Sequence, residues 1–547
     1  MPRILSRALA LGAVALALAG CTKVGGAGSE GLRRNAFTRP HVLRWSDNED
    51  VAGLNPHIVS QANVSWLSEL TMAYLARYDR KNEPVPELAT EIPTQRNGGI
   101  SADGKTITFH LRRGVKWSDG KPFDADDVAF SIGVVLNPRN NEIGRDGWNL
   151  IAKVDEPDKQ TVVLHLKKPY GLYLPTFFGT AGVNPCILPK HILGGLATIN
   201  DAPYNSLPVG IGPFRYKEWR RGDAIVLEAN PYYWRGRPKL DQIVFKIIPD
   251  ANTVFTQLGS GDLDLWVQVR STFAERIGKL PGFVVQRRPS TFYDHIDFNL
   301  KRAVVADPAV RQALRLATDR RALLQEANHG VGLLSESAVP IASPAYDKRL
   351  ALVPFDLAKA NALLDADGWK RGPDGVRAKN GVRLALEFTL GSGAPDLDTR
   401  VELVRAWWKQ IGVALSVKHY LPSLYFAPYA EGGILFGGKY DAATFAWGGD
   451  VSGDVSAEFE CTLIPPNGEN NTRYCNRAVD AAMERFKGLY DPAQRQPYAD
   501  FIQETIFKDA PTIVLDDRED LYAVNADLKN FRPNAVTPFD DFMDVDI

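Results

Sequence analysis

The chain has 547 residues, and its 64 Lys plus Arg against 65 Asp plus Glu leave a net charge of −1. Such a length predicts two or three domains and a core large enough to carry a cleft. The near-neutral balance gives no electrostatic reason to expect nucleic acid or an anionic membrane surface as partner, and the 45% hydrophobic, 24% charged composition is that of a folded globular protein, not a disordered one.

At the N-terminus, Arg3 and Arg7 precede an apolar run over residues 8–19 that is too short to span a bilayer, the pattern of an export signal. Its end, Leu18-Ala19-Gly20-Cys21, resembles a bacterial lipoprotein signal, with residues 1–21 as the signal and the Cys21 thiol taking the lipid. Ordinary cleavage near Ala19, with Cys21 incidental, is the plainer alternative. Residues 22–40 are Gly-rich and charged and read as a flexible tether. No later segment reaches 18 apolar residues, so the remainder is expected to be soluble, extracytoplasmic and held at a membrane through lipid alone.

Along the mature chain, "KTITFHLRRGVKW" alternates Ile107, Phe109 and Leu111 with polar residues and predicts a half-buried strand. A helix is predicted after Asp124 as N-cap, with Val128, Ile132 and Val135 at helical spacing and Pro138 as stop. "AIVLEAN" and "IVFKIIP" read as strands. Further helix starts are predicted at Asp307, followed by Pro308, at Asp319 and at Asp356, the last ending at Gly368. The class is therefore mixed α/β or α+β. In an exported chain the cysteines can be read as disulfide chemistry: Cys461 and Cys475 bracket a Pro/Gly/Asn-rich loop and are expected to pair, leaving Cys186 as a buried free thiol.

The search for chemistry is mostly negative. There is no P-loop, no G-x-S-x-G, no H-E-x-x-H and no C-x-x-C, and the eight His residues are scattered, so no metal or cofactor is expected. Carboxylates are plentiful, but no pair stands out for glycoside hydrolysis. A hydrolase reading lacks a nucleophile, and the chain is expected not to be an enzyme.

Five stretches in order, "LRRGVKWSDGKPFDADDVAFSI" (111–132), "GIGPFRYKEWRRGD" (210–223), "NPYYWRGRPKLDQIVFKII" (230–248), "GSGDLD" (259–264) and "DPAVRQALRLATDRRALL" (307–324), resemble the family 5 solute-binding proteins, the extracytoplasmic receptors of ABC importers for oligopeptides, dipeptides, nickel complexes and other solutes. The resemblance implies an α/β, periplasmic-binding-protein-like two-lobed clamp, type II, of the large cluster with an extra inserted domain. On that pattern residues 41–75, 205–292 and 517–547 form lobe I, 76–204 the insert and 293–516 lobe II, with crossings near "PSTFYDHIDF" and "APTIVLDDRED". It implies a monomer that captures a short peptide and hands it to ABC permease subunits with cytoplasmic ATPases. The alternatives are the same scaffold holding a metal chelate, opine or oligosaccharide, and a surface adhesion or chaperone-like protein.

The site residues follow from the same resemblance. Residues 440–447 read as a strand of lobe II, and Gly448-Gly449 would let the chain turn sharply into a cleft-facing loop. In peptide-binding members the Asp after such a Trp-containing strand pairs with the ligand's α-ammonium; Asp450 is the matching position, with Trp447 as wall or pocket and Gly449 beside it. Capping the next helix is the plain alternative for Asp450. The segment after the first strand lends a backbone edge in the family, which places Gln61 and Ala62, in "SQAN" (60–63), against the peptide. Tyr293 is a candidate cleft wall, whereas Trp407-Trp408 sits in a helical pattern and reads as core. Thr444 stands where some oligopeptide binders have a basic residue, so no Arg is assigned to a ligand carboxylate; the loop between Cys461 and Cys475 looks like that of the dipeptide-binding branch.

Overall fold

Local side-chain chemistry sets the helix starts. Asp124 accepts from the Asp126 amide while Asp127 accepts from the Asp124 amide, closing a capping box at the head of the Ala125–Leu136 helix. Asp307, Asp319 and Asp356 cap the Pro308–Leu316, Arg320–Glu326 and Leu357–Ala366 helices in the same way. Period-two alternation becomes strand at Thr106–His110, where Ile107 and Phe109 are buried. The computed structural model describes residues 35–547 apart from 143, 146 and 180–184, so the signal segment, Cys21 and residues 22–34 of the tether lie outside the described residues.

Ten strands form one mixed sheet: β1 (Val42–Ser46), β2 (Phe214–Arg220), β3 (Ala224–Ala229), β4 (Gln242–Lys246), β5 (Leu265–Trp266), β6 (Phe283–Phe298), β7 (Ala385–Gly391), β8 (Ala414–Tyr420), β9 (Ala442–Gly448) and β10 (Thr512–Asn525). Their spatial order is β8-β7-β9-β6-β10-β5-β1-β4-β3-β2. Strands from the first half of the chain thus occupy one end and later strands the other, with β6 and β10 between. Each end has its own core: Trp45, Phe245 and Phe539 pack at one, Phe388, Leu386 and Trp408 at the other. A third core, with Phe109, Trp117, Val128 and Trp148, belongs to the segment between β1 and β2. That segment carries its own antiparallel sheet, Thr106–His110 and Ile151–Asp158 flanking Thr161–Leu166.

β6 and β10 are the long strands of the sheet, 16 and 14 residues. They pair from Phe283↔Asn525 to Pro289↔Glu519, lose register, and pair again from Tyr293↔Asp517 to Asp297↔Thr512. On one side of the break β10 joins β5, and on the other β6 joins β9. A second, smaller shift falls between Asp294 and His295, and an interrupted ladder is where two halves of a sheet can bend relative to one another.

Buried charge is concentrated beside this break. Arg400 and Arg518 both bond Asp294, at 3.1 and 2.9 Å, and Asp294 and Arg400 are almost wholly buried. Burial would raise the Asp294 carboxyl, but the two guanidiniums override it and hold the group well below the usual carboxylate range. Next along β10, burial pushes Asp516 up to about 7, with Asp294 adding repulsion, and Asp517 up to about 8.

Asp294→Ala should cost about 3–5 kcal/mol of unfolding free energy, read from denaturant midpoints, because it strands Arg400 in a buried site. The pH dependence has two signs. A carboxyl with a raised folded pKa supports folding when protonated, so the contribution of Asp516 and Asp517, full below roughly pH 4, is lost as pH rises through about 7 and about 8. Asp294, with a depressed pKa, contributes above roughly pH 4 and loses that contribution in stronger acid. Asp517→Asn should therefore raise stability at pH 8 by roughly 1–3 kcal/mol and flatten the decline between pH 4 and 8, as seen in thermal melts across that range.

Candidate functional site

Strand β9 brings the candidate residues to the centre of the sheet. It runs antiparallel to β6 with Trp447 opposite Tyr293 and Gly448 opposite Phe292. Thr444 is fully buried, and its hydroxyl donates to the His295 carbonyl at 2.8 Å, so position 444 is absorbed by strand pairing and offers nothing to a cleft. Trp447 emerges half-buried at the strand end. The glycines that follow do not adopt a left-handed turn. A Cβ at Gly449 would lie 2.4 Å from Pro340 Cγ, and the Gly449 amide donates to the Thr291 carbonyl at 2.9 Å. Close approach, not turn conformation, requires glycine at 449.

Asp450 opens the loop beyond. One carboxylate oxygen accepts from the Ser452 amide at 2.8 Å, and among the described residues no Lys, Arg or His forms an ion pair with it. The head of the next short helix, Ser456–Phe459, is served by Asp454, which accepts from the Ser456 amide at 3.0 Å, so Asp450 does not cap it. Burial pushes the Asp450 carboxyl up, the Ser452 amide pulls it down and Asp454 adds repulsion. It is a costly group to leave uncompensated, and a cation would stabilise it.

Three cavities surround this strand end. The first, about 360 Å³, is lined by Asp450, Asp454 and Gly449 on one wall and by Trp148 and Tyr170 of the segment between β1 and β2 on another; its lining carries two carboxylates and no basic side chain. The second, about 720 Å³, has Trp447, Phe445, Phe426 and Tyr429 with Pro466 and Asn467. The last two belong to the loop closed by Cys461 and Cys475, which are bonded, S–S 2.11 Å, while Cys186 is a buried free thiol. Asp480 lies close to the bonded pair, but its carboxylate already accepts from the Cys461 amide and both sulfurs are spent, so this group is no metal site. The third cavity, about 580 Å³, lies between residues 78–100 and the start of the Pro492–Asp509 helix and adjoins the first at Pro175 and Val451.

The first and third cavities are walled in part by the segment between β1 and β2, which touches the far end of the chain. The Gly171 amide donates to the Lys487 carbonyl at 2.6 Å, the Tyr490 hydroxyl donates to the Gly104 carbonyl at 2.7 Å, and Lys168 pairs with Glu484 at 2.8 Å. A Cβ at Gly171 would fall 1.7 Å from the Leu489 carbonyl oxygen, so only glycine permits this approach.

Several expectations need correction. Tyr293 is no cleft wall: it is 1% exposed, packs in the core with Val339 and Phe459, and its hydroxyl bonds the buried Glu458 carboxyl. Residues 60–63 provide no extended edge, because Ala62 begins the Ala62–Thr71 helix and Asn63 is fully buried. Gln61 is spent locally, accepting from the Ala52 amide and donating to the Asp50 carbonyl, and neither Gln61 nor Ala62 lines any of the three cavities. Trp408 is wholly core and Trp407 packs against it. Trp148, Tyr170, Asp454 and Arg495 line the cavities and escaped the sequence reading; of these, Asp454 alone left a trace, four residues after Asp450 in the same loop.

The chain matches the description of bacterial extracellular solute-binding proteins, family 5, over residues 83–463. It is 28% identical over 451 residues to the oligopeptide-binding protein AppA of Bacillus subtilis, covering 81% of this chain and 80% of that one. Haem-binding protein A of Haemophilus influenzae is 27% identical over 435 residues, 76% of each chain. The structure of the oligopeptide-binding protein AppA from Bacillus subtilis in complex with a nonapeptide superposes with a TM-score of 0.74 at 24% identity, covering 92% of this chain and 98% of that one. The two-ended sheet joined by β6 and β10 is thus the two-lobed periplasmic-binding-protein fold, and the chain belongs to the family 5 bacterial extracellular solute-binding proteins.

Proposed function

We propose that this chain is the extracytoplasmic substrate-binding subunit of an ABC importer, capturing short peptides between its lobes and delivering them to the permease and its cytoplasmic ATPases. Asp450 carries the reading: a half-buried carboxylate with no ion-pair partner among the described residues, Arg495 acting on it only from a distance, in a cavity whose lining holds two acids and no base. Every linear peptide with a free amino terminus presents one ammonium group, so a carboxylate placed there selects peptides as a class. Trp447 and Gly449 shape the walls. The peptide and haem binders among the relatives mark the range of ligands that this scaffold takes.

Residues 41–75, 205–292 and 517–547 act as lobe I with 76–204 as insert, and 293–516 as lobe II, closing by bending at the register break of β6 and β10. The subunit works as a monomer, binds without turnover and is tethered by lipid on Cys21. No described helix is long and apolar enough to cross a membrane.

Native mass spectrometry of the chain from Thr22 onward, purified without refolding, should release short peptides; a retained haem or metal chelate instead would overturn the peptide reading. In titration calorimetry, Asp450→Asn and N-acetylation of the peptide should each cost about 2–5 kcal/mol, and the variant should no longer distinguish acetylated from free peptide. Equal affinity of the unmodified protein for both ligands would remove Asp450 from the site. Cys21→Ala should move the protein from the membrane to the soluble fraction on cell fractionation.

A further inference from the structure

The insert meets the rest of the molecule in two unlike ways. Toward lobe I its contacts are buried: His57 bonds the Glu142 carboxylate and the Cys186 carbonyl, each at 2.7 Å, with all three residues withdrawn from solvent. Arg77 adds an ion pair with Asp540 of the C-terminal segment at 2.8 Å. Toward lobe II its contacts gather around the third cavity, whose lining carries Arg96 and Arg495 against the one carboxylate of Asp491. Asn82 lies in the turn of the hairpin formed by Ala76–Tyr78 and Pro84–Pro86, lines that cavity, and donates to the Ala342 carbonyl at 3.1 Å.

Tyr490 makes the most specific of these contacts. It lies in the short connection between the Arg477–Gly488 and Pro492–Asp509 helices and also lines the third cavity. Its hydroxyl donates to the Gly104 carbonyl at 2.7 Å and accepts from the Tyr170 amide at 3.1 Å. A phenol can do this because one oxygen at the end of a rigid ring is both donor and acceptor. The ring packs on Tyr173, centroids 5.7 Å apart. The insert is shaped to receive it: Gly104 has a φ of +69°, and a Cβ there would lie 2.9 Å from Tyr490 Cε2. With Gly171 admitting the Leu489 carbonyl oxygen, glycines form two sides of a socket for residues 489 and 490. Both partners of the Tyr490 hydroxyl are protein backbone, so the contact needs no ligand to complete it.

We propose that Tyr490 is a latch on the clamp: the insert travels with lobe I, and on closure the Tyr490 hydroxyl of lobe II enters the socket at Gly104 and Tyr170, so that the insert holds the cleft shut and sets how long a ligand stays. The proposal rests on the closing clamp proposed above and gives the inserted segment a task in it. The latch bonds run from protein to protein, so they lengthen the stay of every ligand alike and leave the choice among ligands to the cleft walls.

The test has two arms, both in the chain from Thr22 onward. In the first, spin labels on Lys121→Cys of the insert and Lys409→Cys of lobe II report their separation by pulsed electron paramagnetic resonance, without ligand and with trialanine. Tyr490→Phe, which keeps the ring and deletes both hydrogen bonds, should lower the ratio of short-distance to long-distance form roughly 5- to 50-fold. In the second, stopped-flow mixing should show trialanine leaving Tyr490→Phe and Gly171→Ala faster by a similar factor, with its association rate unchanged. Thermal melts of both variants without ligand should match the unmodified protein. Distances and release rates that ignore Tyr490→Phe overturn the latch, and so does an unmodified protein found in the long-distance form alone under both conditions. A slower association with unmoved distances makes Tyr490 a ligand contact and overturns it too. If trialanine does not bind, the peptide reading is what suffers, and the ligand-free distances decide the latch by themselves.

Discussion

Asp294 accepts from two arginines where β6 and β10 lose register, the buried Arg400 and the exposed Arg518, and this cluster pins together the strands through which the chain passes from one end of the sheet to the other. Arg400 comes from the Pro395–Gln410 helix of the later end and Arg518 from β10 itself, so the contact couples a helix packed on one lobe to the ribbon shared by both. The ladder is interrupted at residues 290–292, and the charge cluster sits directly beside that interruption. Two further acids on β10, Asp516 and Asp517, make the same spot sensitive to protonation. Burying several charges at one point is poor economy for stability, which suggests that position, not stability, is what they secure.

Elements with local causes were legible in the sequence. The four capped helices announced themselves because an Asp side chain reaches amides two or three residues on, a contact that needs no tertiary partner. The two-lobed class followed from family motifs, and the position of Asp450 from the loop after a Trp-bearing strand. What failed depended on neighbours distant in the chain. Tyr293 alternates with its strand mates as a cleft residue could, but Glu458, 165 positions away, holds it in the core. The Gly448-Gly449 pair looks like a turn signal, yet Pro340 sets the requirement. At residues 60–63 the misreading was avoidable: Val64, Leu67 and Leu70 recur at helical spacing, and their burial makes Ala62–Thr71 a helix.

Arg495 illustrates a harder limit. In "PAQRQPYADF" it reads as one more solvated helix cation, the ordinary fate of such a residue. Nothing nearby in sequence reveals that Tyr78 and Tyr173, more than three hundred positions upstream, line a common cavity with it. The electrostatics of the cleft emerge at this level: an acidic compartment and a basic one adjoin at Pro175 and Val451. The aromatic cavity beside Trp447 adds an apolar recess bounded by the disulfide-closed loop.

Gly171 gives the closed arrangement a thermodynamic character. Its missing side chain lets two backbones meet, and what joins them is a few hydrogen bonds, one exposed ion pair and apolar packing, with Leu172 in one buried cluster with Phe486 and Tyr490 against Tyr173. Water can replace each of the polar contacts, so each of those is worth only about 0.5–1.5 kcal/mol net, while the apolar packing is lost outright when the sides part. A ligand that touches both sides adds its own preference for the closed form to that balance. A single methyl group at position 171 would tilt that balance toward the open form without touching the ligand at all.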